Sequence, residues 1–260
     1  MSILQATKKF IYKVKALKNP KRGNFSFDDN TLDAAIGFNE YGAYCLPNKS
    51  KMRPAVQKVM RNKVYEPQTI AFMRKIIANN AGDVIHAGTF FGDFLPALSK
   101  AIIHKEQKIW AFEPNTESYN CAKITLLLNN IKNVELTNAG LGNEQQQQHL
   151  QIKDATGTYI GGASNIVKTA TLNETEAINI VRIDDVVSKT KKISIIQLDV
   201  EGYELPALKG ALATIQQQLP ILILEDNLNA IETDWFKNNI FNLGYTVSDT
   251  LHNNIVLKRQ

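Results

Sequence analysis

LDVEGYELPALKGA, Leu198 to Ala211, decides how this sequence folds. An apolar run, Ile193 to Leu198, leads into it without glycine or proline, the pattern of a strand buried on both faces. Behind it Leu205, Leu208, Leu212 and Ile215 recur at helical spacing, with Gly202 at the turn. Strand, turn and helix in that order place Asp199 and Glu201 at the carboxyl end of a central strand. In open α/β sheets ligands bind along that edge. Two charges at a buried strand end are costly unless they meet a partner. One reading makes them the chemical groups of a site. The structural alternative makes Glu201 a cap on the helix start and Asp199 a holder of backbone amides.

Upstream the same unit repeats. Val84-Ile85 is a short strand followed by HAGTFFGDF, His86 to Phe94, and a helix predicted over Phe94 to His104. Gly88 and Gly92 bracket a tight loop where a backbone can approach a ligand and a helix start offers free amides. The next strand, Ile109 to Phe112, ends in Glu113-Pro114-Asn115. An acid about twenty positions beyond a Gly-rich turn suits the two hydroxyls of a ribose. A helix, Ser118 to Asn129, and a strand, Val134 to Asn138, follow. The alternation argues for a parallel, doubly wound α/β sheet.

Downstream, residues 140–193 interrupt the alternation as an inserted hairpin and loop. Gln145 to Gln148 reads as a polar loop tip, and His149 to Ile152 and Ile178 to Ile183 as short strands. GTYIGGASNIV, Gly157 to Val167, is either a loop that gates a pocket or a plain connection. Asp184-Asp185 reads as a turn into a short helix and is assigned no chemistry. Ile221 to Leu224 is a second buried strand ending in acids, Glu225-Asp226-Asn227. A helix, Asp234 to Leu243, and an antiparallel hairpin, Tyr245 to Ser248 with Asn254 to Leu257, close the chain.

The amino-terminal part differs in charge. The net charge is +5, but seven basic residues, Lys8 to Arg22, precede the first acid, Asp28; beyond them acids outnumber bases. Residues 1 to about 30 read as a basic helix and turn, with Phe10, Ile11, Val14 and Leu17 on one face. A helix docked on the body is favoured over contact with an anionic surface or membrane. No nucleic-acid partner is expected of a slightly acidic body. Residues 28–50 give no assignment; Pro54 to Arg61 and Pro67 to Asn79 read as helices. The expected organisation is a helical or irregular extension, residues 1–64, before one catalytic domain, residues 65–260. Two cysteines, Cys45 and Cys121, lack metal spacing and form no disulfide framework, which points to a reducing, cytoplasmic setting. No signal peptide or membrane span is read.

From Tyr65-Glu66-Pro67 to Glu225 the chain resembles the FkbM family of S-adenosylmethionine-dependent methyltransferases. LDVEGYELPALKGA carries most of the likeness. AFEPN (Ala111 to Asn115), VELTNAGLGN (Val134 to Asn143) and Arg182-Ile183-Asp184-Asp185 match in order and spacing. The resemblance implies a Rossmann-like class I methyltransferase fold, a seven-stranded, mostly parallel sheet with helices on both faces. It implies methyl transfer to a hydroxyl of a sugar, glycan or secondary metabolite. One departure stands out: the family's Asp-x-Gly-Ala-Asn-x-Gly loop here reads His86-Ala87-Gly88-Thr89-Phe90-Phe91-Gly92. A neutral His86 can still accept a hydrogen bond; a protonated one would repel the cofactor's ammonium.

The expected cofactor site is the loop His86, Gly88, Thr89, Phe90, Gly92 and Asp93, with Glu113 on the ribose and Pro114 and Asn115 beside it. Asn138 would lie near the adenine, Glu66 at the methionine end, and Asp199 near the transferred methyl. Asp199 and Glu201 are the expected catalytic pair, Asp199 as general base. A divalent ion on Asp199, Glu201 and Glu225 is the less favoured alternative. Two other readings share the Gly loop. An NAD-dependent oxidoreductase needs a third spaced glycine and leaves Asp199-Val200-Glu201-Gly202 without a role. A non-catalytic Rossmann-like binding module would have lost the cofactor through His86 and Phe90.

Overall fold

The computed structural model describes residues 23–27, 30–187 and 191–259. The basic helix expected in the first 22 residues lies outside them. Three strands come first: β1 (Gly23–Phe27), β2 (Asn30–Asn39) and β3 (Gly42–Pro47), an antiparallel sheet in that order. The stretch that gave no assignment, within the expected helical or irregular extension, is thus a meander. Its edge is closed by side chains of Thr125 and Asn129, far along the chain, which hydropathy does not show. Two helices follow, α1 (Pro54–Met60) and α2 (Pro67–Asn79), each opening on a proline whose missing N–H costs nothing there.

Then come β4 (Asp83–Ala87), α3 (Leu95–Ser99), β5 (Ile109–Phe112), α4 (Thr116–Leu128) and β6 (Val134–Thr137). Helix α3 stops well short of the expected His104. Beyond Ala101 only Ile102 packs on the core, at its margin, and Ile103 is exposed. Residues 140–181 form a small sheet of their own, β7 (Gly140–Leu141), β8 (Gln146–Gln151), β9 (Asn165–Val167) and β10 (Thr175–Val181), in the order β7-β10-β8-β9. The glutamine tract read as a loop tip is part of β8. Gln146 to Gln148 pair with Asn179 and its neighbours through backbone bonds, while only Leu150 of the strand is buried. A strand held by its ladder, with one buried side chain, leaves no hydropathy signal.

The chain closes with α5 (Ile183–Val186), β11 (Ile193–Leu198), α6 (Glu204–Lys209), α7 (Leu212–Gln218), β12 (Ile221–Glu225), α8 (Asp234–Asn239), β13 (Tyr245–Leu251) and β14 (Asn254–Arg259). The main sheet has seven strands in the order β13-β14-β12-β11-β4-β5-β6. It is mixed: β14 runs against its neighbours β12 and β13, and the other pairs are parallel. Asp184 serves structure, its carboxylate accepting from the backbone N–H of Ala213 and Thr214 at the start of α7.

Strand periodicity builds two cores. Val84, Ile195, Ile223 and Val256 face α2 and α3, where Ile70, Met73, Ile77, Leu95 and Leu98 meet them. Ile85, Ile196, Leu198, Leu222 and Leu224 point the other way, onto Leu208, Ile215 and Phe236 of α6 to α8. The meander packs on α4, and side chains close its open edge. Ala43 N–H donates to Asn129 Oδ1 at 3.1 Å, Asn129 Nδ2 donates back to Ala43 O at 2.6 Å, and Cys45 N–H donates to Thr125 Oγ1 at 3.1 Å. No helix among the described residues is long and apolar enough to cross a membrane.

Candidate active site

Register brings four strand ends to one edge. Leu198 pairs with Leu224 and with Ala87, and Ala87 with Phe112, so Asp199, Glu225, Gly88 and Glu113 follow side by side. Above them lies a cleft of two lobes, about 480 Å³ and about 630 Å³. Gly88, Gly162, Asp199 and Glu201 line both and form the waist between them.

The smaller lobe is mainly apolar. Phe112, Pro114, Leu141, Leu150 and Ile166 line it, and Glu113 joins Asp199 and Glu201 as its acids. Both oxygens of Glu113 are held: Phe90 N–H donates to Oε2 at 2.7 Å and Asn115 N–H to Oε1 at 2.9 Å. The carboxyl is buried, and burial pushes its pKa up to about 8 against those two bonds. A ligand hydroxyl donating to a free lone pair would favour the ionised form.

The larger lobe is acidic. Glu66, Asp93, Asp199, Glu201 and Glu225 line it beside Arg53 and Tyr65. Burial raises Asp93 and Glu201 to about 7. Asp199 is lifted well above the usual carboxylate range by burial first and then by Glu225 beside it. Helix α6 does not consume these acids: Glu204, two residues into the turn region, accepts from Val200 N–H at 3.1 Å and Gly202 N–H at 3.2 Å. Glu201 does not cap α6 either, since the start of that helix carries no side-chain cap. Three lining residues are held in the left-handed region, Glu66, Phe90 and Glu201, with φ of 45°, 51° and 51°. Each such residue costs about 1 kcal/mol or more, and such strain gathers at functional sites.

His86 stands in the wall of the same lobe, 2% exposed and stacked on Phe94 at 5.3 Å. Its Nδ1 is hydrogen-bonded to the side-chain amide of Gln197, its neighbour across the β4–β11 ladder. Burial lowers its pKa to about 4, so the ring is neutral at pH 7, and Nε2 is a buried ring nitrogen without a partner. Among the described residues no three His, Cys, Asp or Glu side chains are disposed to hold a metal ion, and Asp199, Glu201 and Glu225 form no such group.

These ionisations couple to stability. Unfolded, Glu113 loses its proton near 4.5; folded, it holds it to about 8, so its contribution is full at low pH and is lost as pH rises through 8. Unfolded, His86 gains a proton near 6.5; folded, it resists to about 4, so its contribution is full above 6.5 and is lost as pH falls through 4. Asp93 and Glu201, raised to about 7, act in the same direction as Glu113, so the three acids outweigh His86, and the melting temperature of the ligand-free protein is expected to be highest at about pH 4.5 and to fall as pH rises toward 8. Calorimetry across pH 4 to 9 checks this, and a flat profile between pH 6 and 8 would contradict it.

The family described as "Methyltransferase FkbM domain" matches residues 77–255, which hold β4 to β13 and the whole waist of the cleft. The chain belongs to the FkbM methyltransferase family. Membership in that family supports an S-adenosylmethionine-dependent methyltransferase. Among solved structures, an FkbM methyltransferase from Methylobacillus flagellatus KT is 17% identical, with a TM-score of 0.48 over 68% of this chain and 43% of that one. This chain thus spans less than half of the Methylobacillus protein. An S-adenosylmethionine-dependent methyltransferase from Aquifex aeolicus is 14% identical, with a TM-score of 0.41 over 81% and 94% of the two chains. A putative O-methyltransferase from Klebsiella pneumoniae is 11% identical, with a TM-score of 0.42 over 75% and 81%. No curated protein matches the chain.

In this FkbM-family chain the expected site residues separate into two groups. Glu66, His86, Gly88, Phe90, Asp93, Glu113, Pro114, Asp199 and Glu201 line the cleft. Thr89, Gly92, Asn115 and Asn138 do not; they shape it from behind. Thr89 Oγ1 donates to His86 O, Asn115 Oδ1 caps α4 through Ser118 N–H, and Asn138 Nδ2 bridges the carbonyls of Glu113 and Pro114. Gly92 turns the loop at φ 80°. Asn138 therefore spends its amide on the strand end, and Ala139 and Gly140 take the place in the lining expected of it. Sequence reading missed Arg53, Tyr65 and Gln197 altogether. Gln197 left a signal: it is the lone polar residue between Ile196 and Leu198 of a buried strand, in register with His86.

The loop 157–167 lies over the waist. Gly162 sits on the Phe90 ring, where an added Cβ would stand 3.3 Å from it, and Gly161 is pressed on Ser50. Phe90 thus packs under the loop and leaves both lobes open.

Proposed function

We propose that the chain transfers the methyl of S-adenosylmethionine to a hydroxyl of a sugar, glycan or secondary metabolite. One observation carries the reading: two adjoining lobes that share Asp199 and Glu201, one otherwise apolar with Glu113 as its further acid, the other crowded with acids. An adenosine with two ribose hydroxyls suits the first, and an amino-acid end bearing a cation suits the second. One further feature fits the cofactor: His86 Nε2 is a buried ring nitrogen without a partner in the wall of the larger lobe.

Glu113 would take the ribose hydroxyls, and Leu141, Leu150 and Ile166 would cover the base. Glu66, Asp93 and His86 would receive the ammonium. When bound, the cofactor supplies an electrophilic methyl that needs only an aligned nucleophile. Asp199 would accept the acceptor hydroxyl's proton. Its pKa, raised by burial and by Glu225, brings it toward that of a base working near neutral pH. Glu201 and Arg53, across the mouth of the larger lobe, would grip the acceptor's other hydroxyls.

Asp199→Asn keeps the shape and removes the base. It is expected to lower turnover at least about 100-fold while cofactor affinity changes by less than about tenfold. The measurement is a mass-spectrometric screen with sugars and glycosides, reading a methyl gained on the acceptor, beside calorimetric titration of the cofactor. Turnover equal to wild type would remove Asp199 from the chemistry.

A further inference from the structure

Beside the cleft, α1 and the turns before and after it form one basic face. Between Glu40 and Glu66 the sequence has no acid and six bases, Lys49, Lys51, Arg53, Lys58, Arg61 and Lys63. Lys49 pairs with Glu117, and Arg53 lines the larger lobe. The other four are exposed, and among the described residues none of them takes part in an ion pair. One acid comes close: Asn48 Nδ2 donates to Asp33. Helical spacing makes the face. Ala55, Val56 and Val59 turn into the core under the meander, which leaves Gln57, Lys58 and Met60 on the outer side, with Arg61 following them. Lys63 N–H donates to Lys58 O at 2.8 Å, so the chain folds back and sets these two lysines close together.

The same face is apolar at its centre. Met52 is 78% exposed and Met60 39%. Both line a groove of about 670 Å³ between α1 and the meander, over buried Ala35, Leu46 and Val56, and Lys51 lines it with them. Exposed thioethers ringed by cations fit an anionic lipid surface. Headgroup phosphates meet the charges, and the flexible methionines enter the acyl boundary. A nucleic acid asks for stacking platforms beside its cations, and residues 48–63 have no aromatic side chain. Three of the four unpaired bases are lysines, a residue depleted from protein interfaces but favoured against headgroups.

We propose that the face of residues 48–63 docks the protein on an anionic lipid surface, with Lys51, Lys58, Arg61 and Lys63 among the headgroups and Met52 and Met60 at the acyl boundary. The docking is peripheral, since α1 is seven residues long and buries its other side on the protein. Each basic residue brought to an anionic leaflet is worth about fivefold in partition, so four together reach roughly several hundredfold. Arg53 follows Met52 directly and lines the larger lobe, so docking sets the mouth of the cleft beside the headgroups. The docking does not depend on which cofactor the cleft takes.

Co-sedimentation of the full chain with vesicles tests this, using phosphatidylcholine alone and phosphatidylcholine mixed with an equal part of phosphatidylglycerol. The wild type is expected to bind the mixed vesicles at least about tenfold more tightly. Each variant is read against the wild type, so the basic residues before Gly23 contribute equally throughout. Lys58→Glu combined with Lys63→Glu is expected to weaken binding at least about tenfold. Lys105→Glu combined with Lys132→Glu reverses as many exposed charges before β5 and β6, at the opposite end of the parallel strands, and is expected to cost less than about threefold. Met52→Ser combined with Met60→Ser keeps every charge and is expected to cost at least about threefold. All the changed side chains are exposed, so the melting temperatures are expected to match the wild type; should the methionine variant unfold, the two charge variants decide. Equal binding to the two kinds of vesicle, an equal loss in the two charge variants, or a folded methionine variant that binds like the wild type overturns the proposal.

Discussion

Glu113→Ala is expected to weaken S-adenosylmethionine binding at least about 100-fold, the largest functional loss of any single change outside the glycines. The carboxyl accepts from Phe90 N–H and Asn115 N–H, so removing it frees two buried donors as well as the ribose acceptor. Charge-assisted bonds from two ribose hydroxyls are worth about 1.5–3 kcal/mol each, which alone reaches the hundredfold range. Phe90 adds to the loss. Its left-handed φ of 51° is held in part by the bond to Glu113, and without it the loop relaxes away from the ligand. Calorimetry of the variant checks this; affinity within a few-fold of wild type would take Glu113 off the ribose.

Gly88→Ala is expected to cost about 3 kcal/mol or more of stability, or about 6–12 °C in melting temperature. Gly88 has a φ of 79°, and an added Cβ would stand 1.7 Å from the Asp199 carbonyl oxygen. That oxygen is backbone at the end of β11 and cannot rotate away. The ends of β4 and β11 would have to part, and the waist of the cleft with them. Gly157→Ala is the control. Gly157 has a φ of 78° but nothing within 4 Å of the added atom, so only backbone strain of about 1 kcal/mol is expected. Thermal unfolding of the two variants separates strain from collision. Gly88→Ala melting like Gly157→Ala would show that β4 and β11 are not held as closely as described.

Much of the main sheet was legible because its strands are buried on both faces. Ile193 to Leu198 and Ile221 to Leu224 read as continuous apolar runs, and their terminal acids placed the cleft. Elements held by side chain to backbone bonds were not legible. The β2–β3 meander relies on Asn129 and Thr125 of α4, far along the chain, and β8 is a glutamine strand with one buried side chain. Within the site, sequence found residues placed by strand ends, Gly88, Glu113 and Asp199. It did not separate lining from support in Thr89, Asn115 and Asn138, since a polar side chain beside a ligand edge serves either use. Arg53 enters the cleft only because α1 packs beside the Gly88 loop, and nothing in its neighbourhood announces that.

The central claim is that one nucleoside cation spans both lobes, and a crystal structure with S-adenosylhomocysteine tests it most directly. The expected density places the ribose hydroxyls on Glu113, the base against Leu141 and Ile166, and the ammonium within hydrogen-bond distance of His86 Nε2. A ligand seated elsewhere on the molecule, or a cleft still empty at saturating concentration, would contradict the account.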